Sequence, residues 1–303
     1  FGVSGSASAN FLAAHDLPAQ PMTTPPPSAP PPPPPGRKNL GLKVLLLVTL
    51  AAFAALHLLP APWIEALYCE SISPLVFRVQ QAVFGSLPIS VSEVALVLVT
   101  CAGLLVFTRG LSRIMGQKCT LSAAIGAGVS RLLTWSCLAY LAFLALWGFH
   151  HGRLPYAVHL GLDKYPPSQE LDTQMAELES LCRSLVEGCN KLQPLVRPEG
   201  LRMQDKAIAI HAMARLSKTT PIFHGMEPSF RVADLSPMLS RLGISGIYSP
   251  FTGDAHLNGE QPMWARPFIA CHEMAHQLGI AREGEASFVA WQASMGSASN
   301  RAC

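Results

Sequence analysis

The residues with the clearest capacity for chemistry lie in HEMAHQLGIAREGEA, residues 272–286. His272 and His276 are four positions apart, so on a helix both imidazoles lie on one face and can bind the same metal ion. Glu273 stands where a carboxylate can take a proton from a metal-bound water. This HExxH spacing predicts the metal ligands and the base of a zinc-dependent hydrolase. The alternative is a surface helix with two solvated histidines.

A third metal ligand is required, and the residues after Gly279 limit the choice. One branch of HExxH enzymes has a third histidine six positions after the second. In this chain that position holds Arg282, and a cationic side chain cannot bind zinc. Glu283 and Glu285 remain as candidates, because a turn at Gly279 followed by a second helix would bring a carboxylate back towards the metal.

The string EGEAS, residues 283–287, resembles the E-x-E-A-N/D signature on the second helix of several glutamate-type zincins. That resemblance implies that Glu283 is the third ligand, because the first glutamate of the signature has this role. Glu285 would then orient a ligand histidine, act as an alternative ligand, or lie on a solvated helix face. Ser287 replaces the Asn or Asp of the signature, which weakens the expectation of a supporting role at that position.

The composition predicts a membrane protein. Half of the residues are hydrophobic and only 14% are charged. The apolar residues concentrate in three runs, for which we expect transmembrane helices over about 42–59, 89–107 and 132–149. A buried core helix is the alternative for each run, but the third run has no charged residue, which favours a membrane span.

The distribution of charge predicts the orientation of these spans. Arg37, Lys38 and Lys43 lie before or at the start of the first run, and the loop 108–131 carries basic residues but no acidic ones. The positive-inside rule makes these segments cytoplasmic, so everything after residue 150 lies outside the cytoplasm. Charges in that region are nearly balanced, and no basic patch alternates with aromatic residues. Nucleic acid is therefore not an expected partner.

The chain is predicted to have three parts. Residues 1–40 contain a proline-rich run and form a disordered cytoplasmic tail. Residues 41–150 form the membrane domain, and residues 151–303 form an extracytoplasmic domain. The chain starts with Phe1 rather than Met and stops at Cys303 soon after the motif, so we expect a fragment of a longer protein.

Periodicity and turn residues predict the elements of the extracytoplasmic domain. We expect helices over about 169–192, 202–217 and 236–242, and a strand at Phe230–Val232. Two further strands are expected within 243–258, around a Pro-Phe-Thr-Gly turn. In zincins, an edge strand ahead of the motif helix holds an extended substrate by main-chain hydrogen bonds, and we assign this role to 243–258. An ordinary hairpin beneath the site is the alternative.

Other residues near the spans and the motif have candidate roles of their own. The candidates for stabilising the oxyanion of a reaction intermediate are Tyr248, His256 and Arg282. Residues 61–88 join the first two spans and predict an interfacial amphipathic segment. His150 and His151 follow the third span, where we expect polar residues at the membrane surface, with metal binding as the alternative.

The segments GIYSPFTGDAHLN, PFIACHEMAHQLG and EGEASF, after three membrane spans, together resemble a bacterial family known as domain of unknown function 3810. The resemblance covers roughly residues 40–295. It implies a membrane-anchored α+β protein of the bacterial envelope, in which three transmembrane helices precede a mostly α-helical, zincin-like domain with a small β-sheet.

We therefore expect a membrane-anchored metallopeptidase that hydrolyses peptide bonds outside the cytoplasm. His272, His276 and Glu283 would bind Zn²⁺, and Glu273 would act as the general base. The expected partners are the lipid bilayer and a peptide or protein substrate in the cell envelope. Two alternatives stay open, namely a non-catalytic envelope protein with a structural metal site and a zinc hydrolase of a non-peptide substrate. An intramembrane protease is disfavoured, since the motif segment is too polar and short for a span.

Overall fold

A computed structural model of the chain describes residues 40–116, 120–162, 171–192 and 205–298. Nearly all of the predicted proline-rich tail lies outside these ranges. Within them the chain is mainly helical, with short 3₁₀ and π-helical turns and one small sheet. The helices are α1 (Leu40–Leu58), α2 (Ala61–Ile64), α3 (Ser73–Gln80), α4 (Val91–Met115), α5 (Leu121–Leu146), α6 (Tyr156–His159), α7 (Leu171–Leu192), α8 (Asp205–Thr219), α9 (Ser236–Arg241), α10 (Arg266–Gln277) and α11 (Glu283–Ala298).

Three of these helices, α1, α4 and α5, are long and apolar enough to cross a membrane. The three predicted spans are thus confirmed as apolar helices, but their ends differ from the prediction. Helix α5 begins at Leu121, well before the apolar run, because Arg131 interrupts hydropathy without interrupting a helix. Side-chain caps set two of the starts: Ser90 accepts a hydrogen bond from the Glu93 amide at 3.2 Å, and Thr120 accepts one from the Ala123 amide at 3.3 Å.

The sheet has three short strands, β1 (Phe230–Val232), β2 (Gly246–Tyr248) and β3 (Ala255–Leu257). Their order is β1-β3-β2, with β1 parallel and β2 antiparallel to β3. Both strands expected within 243–258 are therefore present, and β2 is an edge strand. Side chains alternate along β3, so Ala255 and Leu257 face the hydrophobic core while His256 faces the other way.

The core lies between α8, α10, α11 and the sheet. Met213, Phe223, Met274 and Val289 are fully buried in it, and each such side chain stabilises the fold by about 1.5–3 kcal/mol. Helix α7 confirms the helix predicted there, but its apolar residues remain on the surface. The core is therefore formed mainly by α10, which carries the HExxH motif, and by α8 and α11.

Residues 61–85, between the first two long helices, pack against this same core. Phe77 belongs to the core cluster, Tyr68 belongs to a second, smaller buried cluster, and Ser73 is also buried. One face of this segment is therefore buried within the protein. His150, expected at the membrane surface, is buried as well and lies 2.8 Å from the Ser73 hydroxyl. The division at residue 150 consequently cuts through a shared core.

Candidate metal centre

The motif helix ends in a glycine turn that brings the next helix back over it. Gly279 has a φ of +85°, a left-handed conformation that glycine adopts without strain. The Ile280 amide donates to the Ala275 carbonyl at 3.1 Å, and the Gly279 amide donates to the His276 carbonyl at 3.0 Å, which is the Schellman pattern. The turn predicted at Gly279 is confirmed, and it lets α11 begin at Glu283, facing the histidines.

The three residues predicted as metal ligands lie together. His272, His276 and Glu283 each offer an atom within 4.8 Å of the other two. The two Nε2 atoms are 3.2 Å apart, and the Glu283 oxygens lie 3.0 Å from His272 Nε2 and 3.6 Å from His276 Nε2. A tetrahedral zinc ion with bonds of about 2.0–2.1 Å needs ligand atoms about 3.3 Å apart. The cluster fits that requirement.

Each histidine is oriented through its other ring nitrogen. His276 Nδ1 donates a hydrogen bond to the Ile280 carbonyl at 2.7 Å, which leaves Nε2 unprotonated towards the cluster. His272 Nδ1 lies 3.2 Å from the Ser287 hydroxyl. Burial lowers the pKa of His276 and so favours the neutral imidazole that binds a metal.

Glu285 contacts neither of the two motif histidines in this structure. Its carboxylate accepts hydrogen bonds from the Tyr156 amide at 3.1 Å and from the Arg282 guanidinium at 3.0 Å. It is not part of the cluster, since it lies two positions beyond Glu283 and so points to another side of α11. Ser287 is one helical turn beyond Glu283 and contacts His272, a candidate ligand. The serine at this position, in place of the Asn or Asp of the signature, had argued against such a contact.

Glu273 is buried beside the cluster and is packed against the edge strand. A β-carbon added to Gly246 would lie 2.6 Å from Glu273 Oε1, so only glycine allows β2 to approach so closely. Among the described residues, no cation or hydrogen-bond donor meets the Glu273 carboxylate. Burial raises the pKa of Glu273 to about 8, and the neighbouring Glu283 adds to the shift. The raised pKa favours the protonated carboxyl, and a divalent cation bound beside it would lower that pKa and favour the carboxylate.

Two pockets meet at this carboxylate and form a groove along β2. One, of about 280 Å³, is bounded by Trp147, Ile247, Tyr248 and Pro250 in addition to the cluster. The other, of about 380 Å³, shares Gly246 and Glu273 with the first and is also lined by residues that include Phe268. The groove can therefore take groups on both sides of the candidate ligands.

The pairing of β2 leaves main-chain groups free along this groove. The Asn258 amide donates to the Ser245 carbonyl and the Ser249 amide to the Asp254 carbonyl, so the residues that flank β2 on each side form hydrogen-bonded pairs. In an antiparallel ladder such pairs alternate with pairs that are not hydrogen-bonded. By that alternation Ile247 bonds to β3, while the amides and carbonyls of Gly246 and Tyr248 face the open edge. An extended chain could pair with them.

Of the three oxyanion candidates, only Tyr248 lines the pocket, with its ring centre 6.5 Å from that of His276. The expectation for His256 is wrong, because strand alternation turns it away from α10 and it contacts the Ser90 hydroxyl at 2.8 Å. The expectation for Arg282 is also wrong, because it pairs with Glu285 and donates to the Arg153 carbonyl at 3.2 Å.

Trp147 was not predicted as a residue of the site. Trp147 follows the last residue of α5, forms a wall of the pocket, and donates from Nε1 to the His276 carbonyl at 2.9 Å. The two residues are 129 positions apart. A tryptophan at the end of an apolar run ordinarily indicates a membrane interface. The sequence therefore did not predict that Trp147 contacts His276.

These features define a protein with three apolar, membrane-length helices and a candidate HExxH metal centre. The chain belongs to the family described as Protein of unknown function (DUF3810), which matches over residues 68–301. No curated protein matches the chain, and no solved structure does.

Proposed function

We propose that this protein is a membrane-anchored, zinc-dependent peptidase of the zincin type. The proposal depends above all on one observation: His272, His276 and Glu283 converge while the buried, uncompensated carboxylate of Glu273 faces the same pocket. A surface helix with solvated histidines offers no reason for this convergence.

The donor set favours zinc. Two imidazoles and one carboxylate are the protein ligands of a familiar class of catalytic zinc sites. Bound zinc would supply a water of lowered pKa and would polarise the bond to be cleaved. Glu273 accepts the proton of the attacking water and passes it to the leaving nitrogen. Tyr248 lines the same pocket and is our candidate donor to the oxyanion.

An open centre argues against a purely structural metal. Structural zinc sites have four protein ligands, whereas catalytic sites keep one position for water or substrate. The described residues supply three ligands here, and the Glu283 side chain is 80% exposed at the pocket mouth. The groove and the free edge of β2 favour an extended peptide over a compact small molecule.

We also propose the orientation that the charges predict. The basic segments before α1 and between α4 and α5 are assigned to the cytoplasmic side, and the metal centre to the opposite side of the bilayer. A peptide or protein of the cell envelope is then the substrate, and the proposed zincin-like domain is the one predicted for residues 151–303.

Hydrolysis of a peptide library by the purified full chain in detergent tests the proposal. We expect cleavage that a chelator abolishes, that added zinc restores, and that Glu273→Gln lacks. Failure to cleave any peptide in a zinc-loaded preparation would contradict the proposed activity, as would undiminished cleavage by the Glu273→Gln variant.

A further inference from the structure

The candidate metal centre is attached directly to the end of an apolar helix. Trp147 immediately follows α5, and its indole donates to the backbone of His276 at 2.9 Å. The ring centres of these two residues are 6.2 Å apart. The candidate metal ligand His276 is therefore in direct contact with the residue that follows this helix.

The position of that end relative to a bilayer follows from the sequence of α5. Crossing the hydrocarbon core takes about 20 residues, and a charge at its centre is costly. Between Arg131 and Arg153 no residue is acidic or basic apart from two histidines at positions 150 and 151. This run has almost no surplus length, so Trp147 must lie at the membrane–water interface, where tryptophan is enriched.

A second surface indicates the same boundary. On the helical segment 61–85 one face is apolar and exposed, with exposed fractions of 51–62%. It is formed by Trp63, Leu67, Leu75, Val79 and Val83. Such a continuous apolar patch does not suit an aqueous surface. Because α1 leads into this segment and α4 leads out of it, the occupant of the patch is the lipid bilayer.

The opposite face of the same segment contacts the wall of the pocket. Gln80 donates to the Pro250 carbonyl at 2.8 Å, and Pro250 lines the pocket. Tyr68 is buried and donates to the Ala145 carbonyl at 3.1 Å near the end of α5. A single helical layer thus separates the bilayer from one side of the groove.

We infer that the substrates are polypeptides anchored in the same bilayer and cut within a few residues of its surface. This inference rests on the proposed peptidase function. A groove held at the interface is reached most often by a segment tethered beside it, since a short tether gives an effective concentration in the millimolar range. That concentration falls roughly as the −3/2 power of tether length.

The test uses the full chain in vesicles of phosphatidylethanolamine and phosphatidylglycerol, with single-span reporters in the same membrane. Each reporter carries one sequence cleaved in the peptide library, separated from its span by a flexible spacer of about 5, 20 or 60 residues. We expect the shortest reporter to be cut more than tenfold faster than the longest, from the tether-length dependence. The free peptide at the same bulk concentration should be cut more slowly still.

Equal rates for all spacers and for the free peptide would overturn the inference while leaving the peptidase function intact. Cleavage by Glu273→Gln, or none by the wild type, would instead overturn the function itself. Loss of vesicle lipid without reporter cleavage would identify a lipid substrate and contradict both.

Two matched leucine variants test the contact with the bilayer. Leu75 is 62% exposed on the apolar face of segment 61–85, and Leu181 is 55% exposed on α7. Leu75→Asp should slow cleavage of the shortest reporter severalfold without changing cleavage of the free peptide, because it tilts the groove away from the membrane. Leu181→Asp should change neither rate, and equal behaviour of the two variants would overturn the assignment of the patch to lipid.

Discussion

Two buried glutamates in this protein have opposite surroundings. Glu65 accepts hydrogen bonds from Arg153 Nε at 3.0 Å and Nη2 at 2.9 Å, and from the Leu154 amide at 3.2 Å. Glu273 is about as buried, yet among the described residues its carboxylate meets no cation and faces a pocket. The residue type and the degree of burial are the same, so the neighbours distinguish them.

The difference distinguishes a stabilising carboxylate from the one that we propose is the general base. The charge of Glu65 is balanced by Arg153, which also reaches the carbonyls of Gly279 and Ile222 and so joins segment 61–85 to the end of the motif helix. A buried carboxylate without such a partner costs several kcal/mol. Retaining one beside three candidate metal ligands is consistent with a centre that is completed by a cation.

The largest expected effect comes from Glu273→Gln. Loss of the general base should lower the hydrolysis rate about 10²–10⁴-fold. The unfolding temperature should stay the same or rise, because a neutral amide is less costly to bury than a carboxylate. Hydrolysis rates and thermal unfolding of the same preparation check this pair of outcomes. A variant that loses stability together with activity would show that Glu273 is structural.

Glu65→Gln should show the reverse behaviour. It leaves Arg153 with an unbalanced charge in a pair whose side chains are each 5% exposed, which should cost about 3–5 kcal/mol of the free energy of unfolding. The control is Glu179→Gln, which removes an exposed pair with Arg183 and should leave stability unchanged. Denaturant unfolding of both variants tests the contrast, and equal stabilities would contradict it.

The two glutamates at the start of α11 give a sharper test of the metal site. Glu283→Gln should weaken zinc binding by more than about 100-fold. Loss of a residue that only orients a ligand costs up to about 100-fold in affinity, and loss of a direct ligand should cost more. Glu285→Gln should leave zinc affinity nearly unchanged, because its carboxylate bonds to Tyr156 and Arg282. Competition with a zinc chelator measures both affinities, and the opposite order would exclude Glu283 as the third ligand.

Gly246→Ala tests the close approach of the edge strand. The new methyl group would lie 2.6 Å from Glu273 Oε1, so the carboxylate or the strand must shift. A displacement of about 1 Å can cost about 100-fold in rate. Gly188→Ala is the control, since nothing lies within 4 Å of a β-carbon there. A rate for Gly246→Ala equal to that of the control would mean that the contact does not position Glu273.

The smallest effect is expected from Ser287→Ala. The hydroxyl contacts His272 Nδ1 at 3.2 Å and should help to orient that ring. Removing such a partner lowers metal affinity about 10–100-fold, and we expect the lower end because the Ile280 carbonyl still orients His276. The same chelator competition measures it. Ser287→Asn should restore the affinity if orientation of His272 is the role of the hydroxyl.

The parts of this centre that depend on local periodicity could be predicted from the sequence. Helical spacing alone puts His272 and His276 on one face, and Gly279 indicates the turn that returns Glu283. Spacing alone could not decide between Glu283 and Glu285 as the third ligand, and only the resemblance to zincin helices favoured Glu283.

The contacts that pass between distant segments could not be predicted. Trp147 and Gly246 reach the site because α5 and β2 pack against α10, and no spacing in the sequence encodes that packing. His256 is the converse case, a residue that was predicted at the site but packs elsewhere. Its type suited an oxyanion donor, but strand alternation turned it towards Ser90.

Metal analysis of the purified full chain tests the central claim most directly. We predict one zinc ion per chain in the wild type and in Glu285→Gln, and loss of that ion when His276→Ala and Glu283→Gln are combined. A wild-type chain that binds no divalent metal after equilibration with zinc would contradict the account. So would an ion that remains at full occupancy after both ligands have been replaced.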